Sequence, residues 1–352
     1  MNNRLSNIEV LRIIAMFLIV LGHFIGFTTQ SFASDCLATD SQQNISYFLC
    51  KLMNFHVPLF VLITGYFGIS FKFKSFGALF IKCMIYALLI VGFWFIVLQK
   101  PFDRRVLTDS IRFFSLNDSW WFINCYLQLF LVSPLLNIFI KQLSEKSFTK
   151  VVLYLLVLNC VWGGLLRGTF NMTGFNLNEF ILLYMIGRYI KLVFSKKSFY
   201  QQLTPNRLFC YFCISELFLA LTGNIVKAYV NPFAIGSAVC LLMAFCKMPF
   251  QNKVINWFAS SALSVYLLTD QGGIVRPLVI KTLWGFHRMI PDYGLYLLFL
   301  VGMTCVAFVM AVLIDKLLSV ILINRLVSWI TRYDLFVKCN EFVNHRLSKN
   351  IS

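Results

Sequence analysis

The chain has 352 residues, of which 59% are apolar and only 13% charged, with a mean hydropathy of +0.77. Soluble globular domains carry about 45–50% apolar residues, so this balance excludes a water-soluble protein and points to a polytopic membrane protein. The net charge of +17 would raise the question of nucleic acid in a soluble chain. Here it is first a question of which loops retain Lys and Arg during insertion, and no nucleic-acid partner is expected.

Apolar runs of the length needed to cross a bilayer, about 20 residues each, recur ten times. They are expected near 8–27, 47–69, 76–98, 120–140, 151–168, 175–193, 208–226, 229–248, 255–275 and 293–315. The predicted fold is therefore all-α with about ten transmembrane helices. Residues 1–315 form the transmembrane domain, and residues 316–352 a basic amphipathic tail on the cytoplasmic surface. With ten spans and an inside N-terminus, twenty basic residues fall on the inner side and nine on the outer, which places both termini in the cytoplasm. Four of the nine, Lys100, Arg104, Arg105 and Arg112, crowd one outer loop. The opening run reads as a retained helix: a cleaved signal core has no use for Glu9, Arg12 and His23.

Ionisable residues inside spans are costly and need partners. Arg12 and His23 are eleven positions apart, which on a helix puts them on one face with about 16 Å between them along the axis. Glu9 flanks the same stripe. A cation near the cytoplasmic entrance and an imidazole deeper in suit transmembrane group transfer; the alternative is a Glu9–Arg12 interfacial pair with His23 bonded to a neighbouring helix. Glu216 stands mid-span, and Asp270 and Arg276 lie near the end of the ninth run. The eleven cysteines sit mostly in apolar runs as small hydrophobes. No His, Cys or carboxylate cluster has metal-ligand spacing, so no metal is expected.

Several segments resemble the membrane-bound acyltransferase-3 family, in particular its polysaccharide O-acetyltransferase branch. They are NIEVLRIIAMFLIVLGHF with Arg12 and His23, VPLFVLITGYF (57–67), SWWFINCYLQLFLVSPLLN (119–137), YMIGRYI (184–190) and SALSVYLLTDQGGIVRPLV (261–279). The resemblance implies a multi-pass protein of the bacterial plasma membrane. It also implies acetyl-CoA as acyl donor from the cytoplasm, and a polysaccharide or lipid-linked sugar hydroxyl as acceptor, with polysaccharide-assembly proteins as possible partners beside the membrane lipid. Carried over by position, His23 would be the catalytic residue and Arg12 its partner; Glu216, from its place mid-span rather than from the resemblance, ranks after Arg12 among partners for His23. Donor phosphates would meet Arg12, Lys72, Lys74 and Lys82. The acceptor would meet Glu9, His56, Trp120, Trp121, Asn124, Tyr126, Asp270 and Arg276. Two departures stand out: many relatives carry a His where this chain has Thr269 and Asp270, and an Arg-x-x-Arg where it has only Lys72, Lys74 and Lys82. The rival function is a transporter or flippase for a sugar or lipid-linked sugar, which predicts internal symmetry between halves; none is evident.

Overall fold

The computed structural model describes residues 4–29, 38–112, 120–226 and 228–330. The tail beyond 330 lies outside the described residues. The fold is all-α. Six helical segments are long and apolar enough to cross a membrane among the described residues: Ser6–Thr28, Asp40–Phe67, Phe73–Val97, Trp121–Gln142, Glu145–Leu165 and Tyr293–Trp329. Large apolar side chains such as Ile96, Leu135, Leu221 and Val320 remain exposed on the outside of the bundle, as lipid-facing positions do when the solvent is hydrocarbon. The protein is thus a polytopic membrane protein.

Helix α1 (Ser6–Thr29) occupies the middle. It packs against seven of the helices described next, and Ile8, Leu11, Ala15 and Val20 along it are fully buried. The expected second span opens earlier than residue 47 and is broken in two. Thr39 and Gln42 form a reciprocal capping box that starts α2 (Asp40–Leu52); the chain then turns through 53–55 and re-enters as α3 (His56–Phe67). Pro58 sits in the first turn of α3, where its missing N–H leaves no helical bond unmade. The break makes His56 a helix-initiating residue beside α1.

Helix α4 (Phe73–Gly92) ends in a wide π turn at Phe93–Val97 and is followed by a short helix α5 (Arg104–Ile111) that Asp103 caps. The sequence reads this stretch as part of an outer loop, and the Asp103 cap makes it helical. Next come α6 (Trp121–Gln142) and α7 (Glu145–Leu156) with its π extension Val157–Leu165. Then follow α8 (Leu177–Leu192), the one-turn α9 (Ser198–Gln202), α10 (Pro205–Thr222) and α11 (Pro232–Cys246). Thr204 and Asn231 cap α10 and α11, each with proline in the first turn, a strong helix-start arrangement.

The expected ninth span is divided as well. Helix α12 (Lys253–Ala259) and helix α13 (Ala262–Thr269) are separated by Ser260 and Ser261, and after a turn at 270–274 the chain continues as α14 (Val275–Met289). The final apolar helix α15 (Tyr293–Leu318) does not stop near 315: a π turn at Ser319–Ile323 leads into α16 (Asn324–Ile330).

Buried charges resolve locally. Lys51 donates to the Ala220 carbonyl at 3.1 Å and to Asn224 Oδ1 at 3.2 Å, closing the C-terminal end of α10, where a cation is favoured by the helix dipole. Glu179 Oε2 accepts from Asn171 Nδ2 at 2.9 Å. Gly65 of α3 and Gly187 of α8 face each other: a Cβ on Gly65 would lie 2.9 Å from Tyr184 Cα, and one on Gly187 2.6 Å from Tyr66 N. Backbone-to-backbone approach of this kind is how membrane helices gain packing without a hydrophobic driving force.

Candidate catalytic site

The turn between α13 and α14 faces α1 at the depth of His23. Asp270, which ends α13, is 1% exposed, and its Oδ2 lies 3.7 Å from His23 Nδ1. That distance is an ion-pair contact; a hydrogen bond would require a closer approach. Its Oδ1 accepts from Arg276 Nε at 3.2 Å and Nη2 at 3.0 Å. Phe27, one turn beyond His23, stacks on the imidazole with ring centres 5.5 Å apart and carries the Arg276 guanidinium on its ring, also at 5.5 Å. Tyr266, one turn before Asp270, closes another side at 6.5 Å. A carboxylate between an arginine and a histidine can hold the imidazole in one orientation and stabilise its protonated form.

The turn is fastened by Gln271. Its Oε1 accepts from the Ile274 and Val275 amides at 2.6 and 3.2 Å, and its Nε2 donates to Ser110 Oγ of α5 at 3.1 Å. The basic segment 100–112 is thereby tied to the residue next to Asp270. His56 starts α3 alongside Gly22, one residue before His23; a Cβ on Gly22 would be 3.8 Å from His56 Nε2. The His56 ring meets Tyr229 at 5.7 Å, and Tyr229 stacks on Trp121 at 5.9 Å with Phe175 edge-on to that indole at 4.7 Å. An aromatic wall thus runs from Trp121 to the histidines.

Arg12 occupies the other end of α1. Its Nη1 is 2.6 Å from Glu9 Oε1, and Arg4 approaches Glu9 Oε2 at 3.7 Å. Both arginines line a cavity of about 290 Å³ that also includes Phe60, Thr64, Phe122 and Tyr126. Phe122 also lines it and meets Tyr266 with ring centres 5.8 Å apart. The Tyr266 ring in turn lies 6.5 Å from that of His23.

The structure brings together His23, Asp270, Arg276 and His56, and separately Glu9, Arg12 and Tyr126. Other expected residues stand elsewhere. Glu216 lies on α10, which packs against α11; its helix presents Leu217 and Leu221 to the exterior. Lys82 is engaged by Asp315, Nζ to Oδ1 at 3.0 Å, and the same oxygen accepts from Tyr86 and Ser264, each at 2.7 Å. Lys82 is therefore tied into the bundle, while Lys72 and Lys74 are exposed at the start of α4. Trp120 is 1% exposed, so its ring has no free face, whereas Trp121 is only partly buried. Asn124 accepts from Gln128 at 2.9 Å, the polar stripe that their i, i+4 spacing predicts.

From the sequence alone Asp270 is expected at the substrate, and Arg12 or Glu216 as the partner of His23. The residue that approaches His23 is Asp270, and Tyr266, Gln271, Ser110 and Tyr229 were missed altogether. One signal was present: an aspartate in an apolar run at a depth matching His23.

The acyltransferase domain model of the acyltransferase-3 family matches residues 5–315. The chain belongs to that family: it is a membrane-embedded protein of an acyltransferase family, and transferase chemistry is the activity this membership supports. No curated protein and no solved structure matches it.

Proposed function

We propose that this protein is an integral O-acetyltransferase of the bacterial plasma membrane. It takes acetyl from cytoplasmic acetyl-CoA and places it on a hydroxyl of a cell-envelope or exported polysaccharide, or of its lipid-linked precursor. The observation that carries the reading is the approach of His23 to a buried Asp270, on the same helix face as Arg12 and its cavity. In this reading ten helices cross the bilayer, both termini are cytoplasmic, and the cavity opens inward.

A phosphate held at Arg12 and a carbonyl at His23 are about 16 Å apart along α1, a span suited to an extended pantetheine arm. His23 accepts the proton of the acceptor hydroxyl as that oxygen attacks the thioester carbonyl. Collapse of the tetrahedral adduct breaks the C–S bond, and the departing thiolate takes the proton back from the imidazolium. Asp270 holds the imidazole and balances its transient charge. If His23 carries the acetyl group first, the same atoms serve in two displacements. The aromatic wall of Trp121 and Tyr229 offers a sugar a surface on the far side.

The test supplies labelled acetyl-CoA to membranes containing the wild type or His23→Ala. Label on polysaccharide that disappears in the variant supports the reading. Equal labelling removes His23 from the chemistry, and no labelling by the wild type with any acceptor favours a transport role.

A further inference from the structure

Among the cations at the Arg12 end of the bundle, Arg188 is held differently from its neighbours. It lies one turn from the end of α8, partly buried, and its guanidinium rests on the backbone of Gly68, the residue that terminates α3. Gly68 has φ +78°, and a Cβ there would be 2.6 Å from Arg188 Nη1. Glycine suits that backbone conformation, and the Arg188 fork occupies the space a Cβ would take. Arg188 Nε is buried and has no hydrogen-bond partner. Among the described residues the ion-paired carboxylates are committed elsewhere: Glu9 to Arg4 and Arg12, Asp270 to Arg276 and His23, Asp315 to Lys82, Glu145 to Lys197.

A guanidinium has five donors and stays charged at any physiological pH. Retention of basic residues on the inner side accounts for exposed lysines such as Lys72 and Lys74, which water satisfies. It does not account for a buried Nε without an acceptor, because withdrawing a charge from water is unfavourable unless a counter-charge or acceptor replaces the water. The C-terminal end of α3 supplies a partial negative charge and leaves that donor unmet.

The surroundings indicate what would meet it. Thr64, one turn before Gly68 on α3, lines the cavity shared by Arg4 and Arg12. Phe67, the neighbour of Gly68, carries the Arg12 guanidinium at 5.6 Å from its ring centre. Lys191, one turn after Arg188, lies over Tyr66 at 4.8 Å. Guanidinium groups from α1 and α8 therefore flank residues 67 and 68. We propose that Arg188 is an anion-binding residue that holds a phosphoryl group of the donor beside the Arg12 cavity. It would favour a thioester bearing a nucleotide diphosphate over one lacking phosphate. The planar fork of arginine matches two phosphate oxygens at once. This assignment to the donor rests on the acyl-CoA reading above.

The test is calorimetric titration of the full-length protein in detergent with coenzyme A, inorganic pyrophosphate and phosphate-free pantetheine, for the wild type, Arg188→Lys and Arg188→Gln. The expected result is that Arg188→Gln weakens coenzyme A and pyrophosphate by about tenfold or more, that Arg188→Lys falls between, and that pantetheine affinity is unchanged throughout. Wild-type affinity for both phosphate ligands in a folded Arg188→Gln protein overturns the proposal, as does a loss of pantetheine affinity equal to that of coenzyme A. A measurement on the wild type is independent of variant folding: pyrophosphate should protect Arg188 from phenylglyoxal, read by mass spectrometry, and unaltered modification overturns the proposal. Arg188-dependent pyrophosphate binding without any coenzyme A binding would overturn the acyl-CoA reading and the assignment of this seat to the donor, while the anion site itself would stand.

Discussion

Asp270 divides its carboxylate between two partners: one oxygen lies 3.7 Å from His23 on α1, and the other receives both bonds from Arg276 on α14. The arginine fixes the carboxylate, so the imidazole faces an anion that cannot rotate away. Asp270→Asn keeps the shape and removes the charge. Transfer should fall by about a hundredfold or more with donor affinity unchanged, as measured by initial rates against donor concentration. A variant with wild-type turnover would detach Asp270 from the chemistry.

Arg276 is linked to that site through Asp270, with its guanidinium over Phe27. Arg276→Lys retains a charge but loses the two-bond fork and the flat stacking surface. Turnover should drop about tenfold, less than for Asp270→Asn, and the thermal midpoint should change little. Identical losses in the two variants would mean that the charge on Asp270 contributes nothing beyond its bond to Arg276.

Lys82 and Asp315 form an ion pair between α4 and α15, where Asp315 also accepts from Tyr86 and Ser264. Removing one member of such a pair strands the other, which costs about 3–5 kcal/mol. Lys82→Met should therefore lower the thermal midpoint in detergent markedly, and the double variant Lys82→Met, Asp315→Leu should recover part of the loss. If Lys82 instead serves donor phosphates, Lys82→Met will weaken donor binding at an unchanged midpoint.

At the α3–α8 contact, Gly65→Ala would place a methyl group 2.9 Å from Tyr184 Cα. Since the obstacle is backbone, the helices must separate, at a cost of about 1–3 kcal/mol. Gly92→Ala, where nothing lies within 4 Å of the added carbon, is the matched control and should leave the melting curve in place.

The proposed orientation makes Lys72 cytoplasmic and Arg104 external. In a background lacking Cys36, Cys339 and the cysteines that are exposed among the described residues, Cys210, Cys213 and Cys305, Arg104→Cys should react with a membrane-impermeant maleimide applied from outside. Lys72→Cys should react only after the membrane is opened. The reverse pattern would invert the topology and place the Arg12 cavity on the outer side.

Much of this was readable from residue order. Apolar runs separated by charged punctuation announce membrane helices because the bilayer demands unbroken stretches of hydrocarbon and internally satisfied backbone. The Arg12–His23 stripe follows from helical periodicity alone. Caps such as Thr204-Pro205 and Asn231-Pro232 mark helix starts by local hydrogen bonding. Runs that break internally are harder to read: Ser260 and Ser261 continue an apolar segment in composition, and only in the folded bundle does the chain turn there and divide one expected span into two helices that both pack against α1.

The chain's own order thus determined the solvent, the class of fold, and the placement of a histidine and an arginine on one helix face, since these depend on local composition and period. Which groups meet across 247 positions was decided by tertiary packing. His23 faces Asp270 and not Glu216 because α13 packs against α1 and Gln271 closes the turn that follows, on the Ile274 and Val275 amides and on Ser110 of α5, while α10 packs against α11. Lys82 similarly lost its apparent freedom when folding brought Asp315 to it. Charge pairing in a membrane is settled by which buried group can reach which other, and reach is a property of the packed bundle.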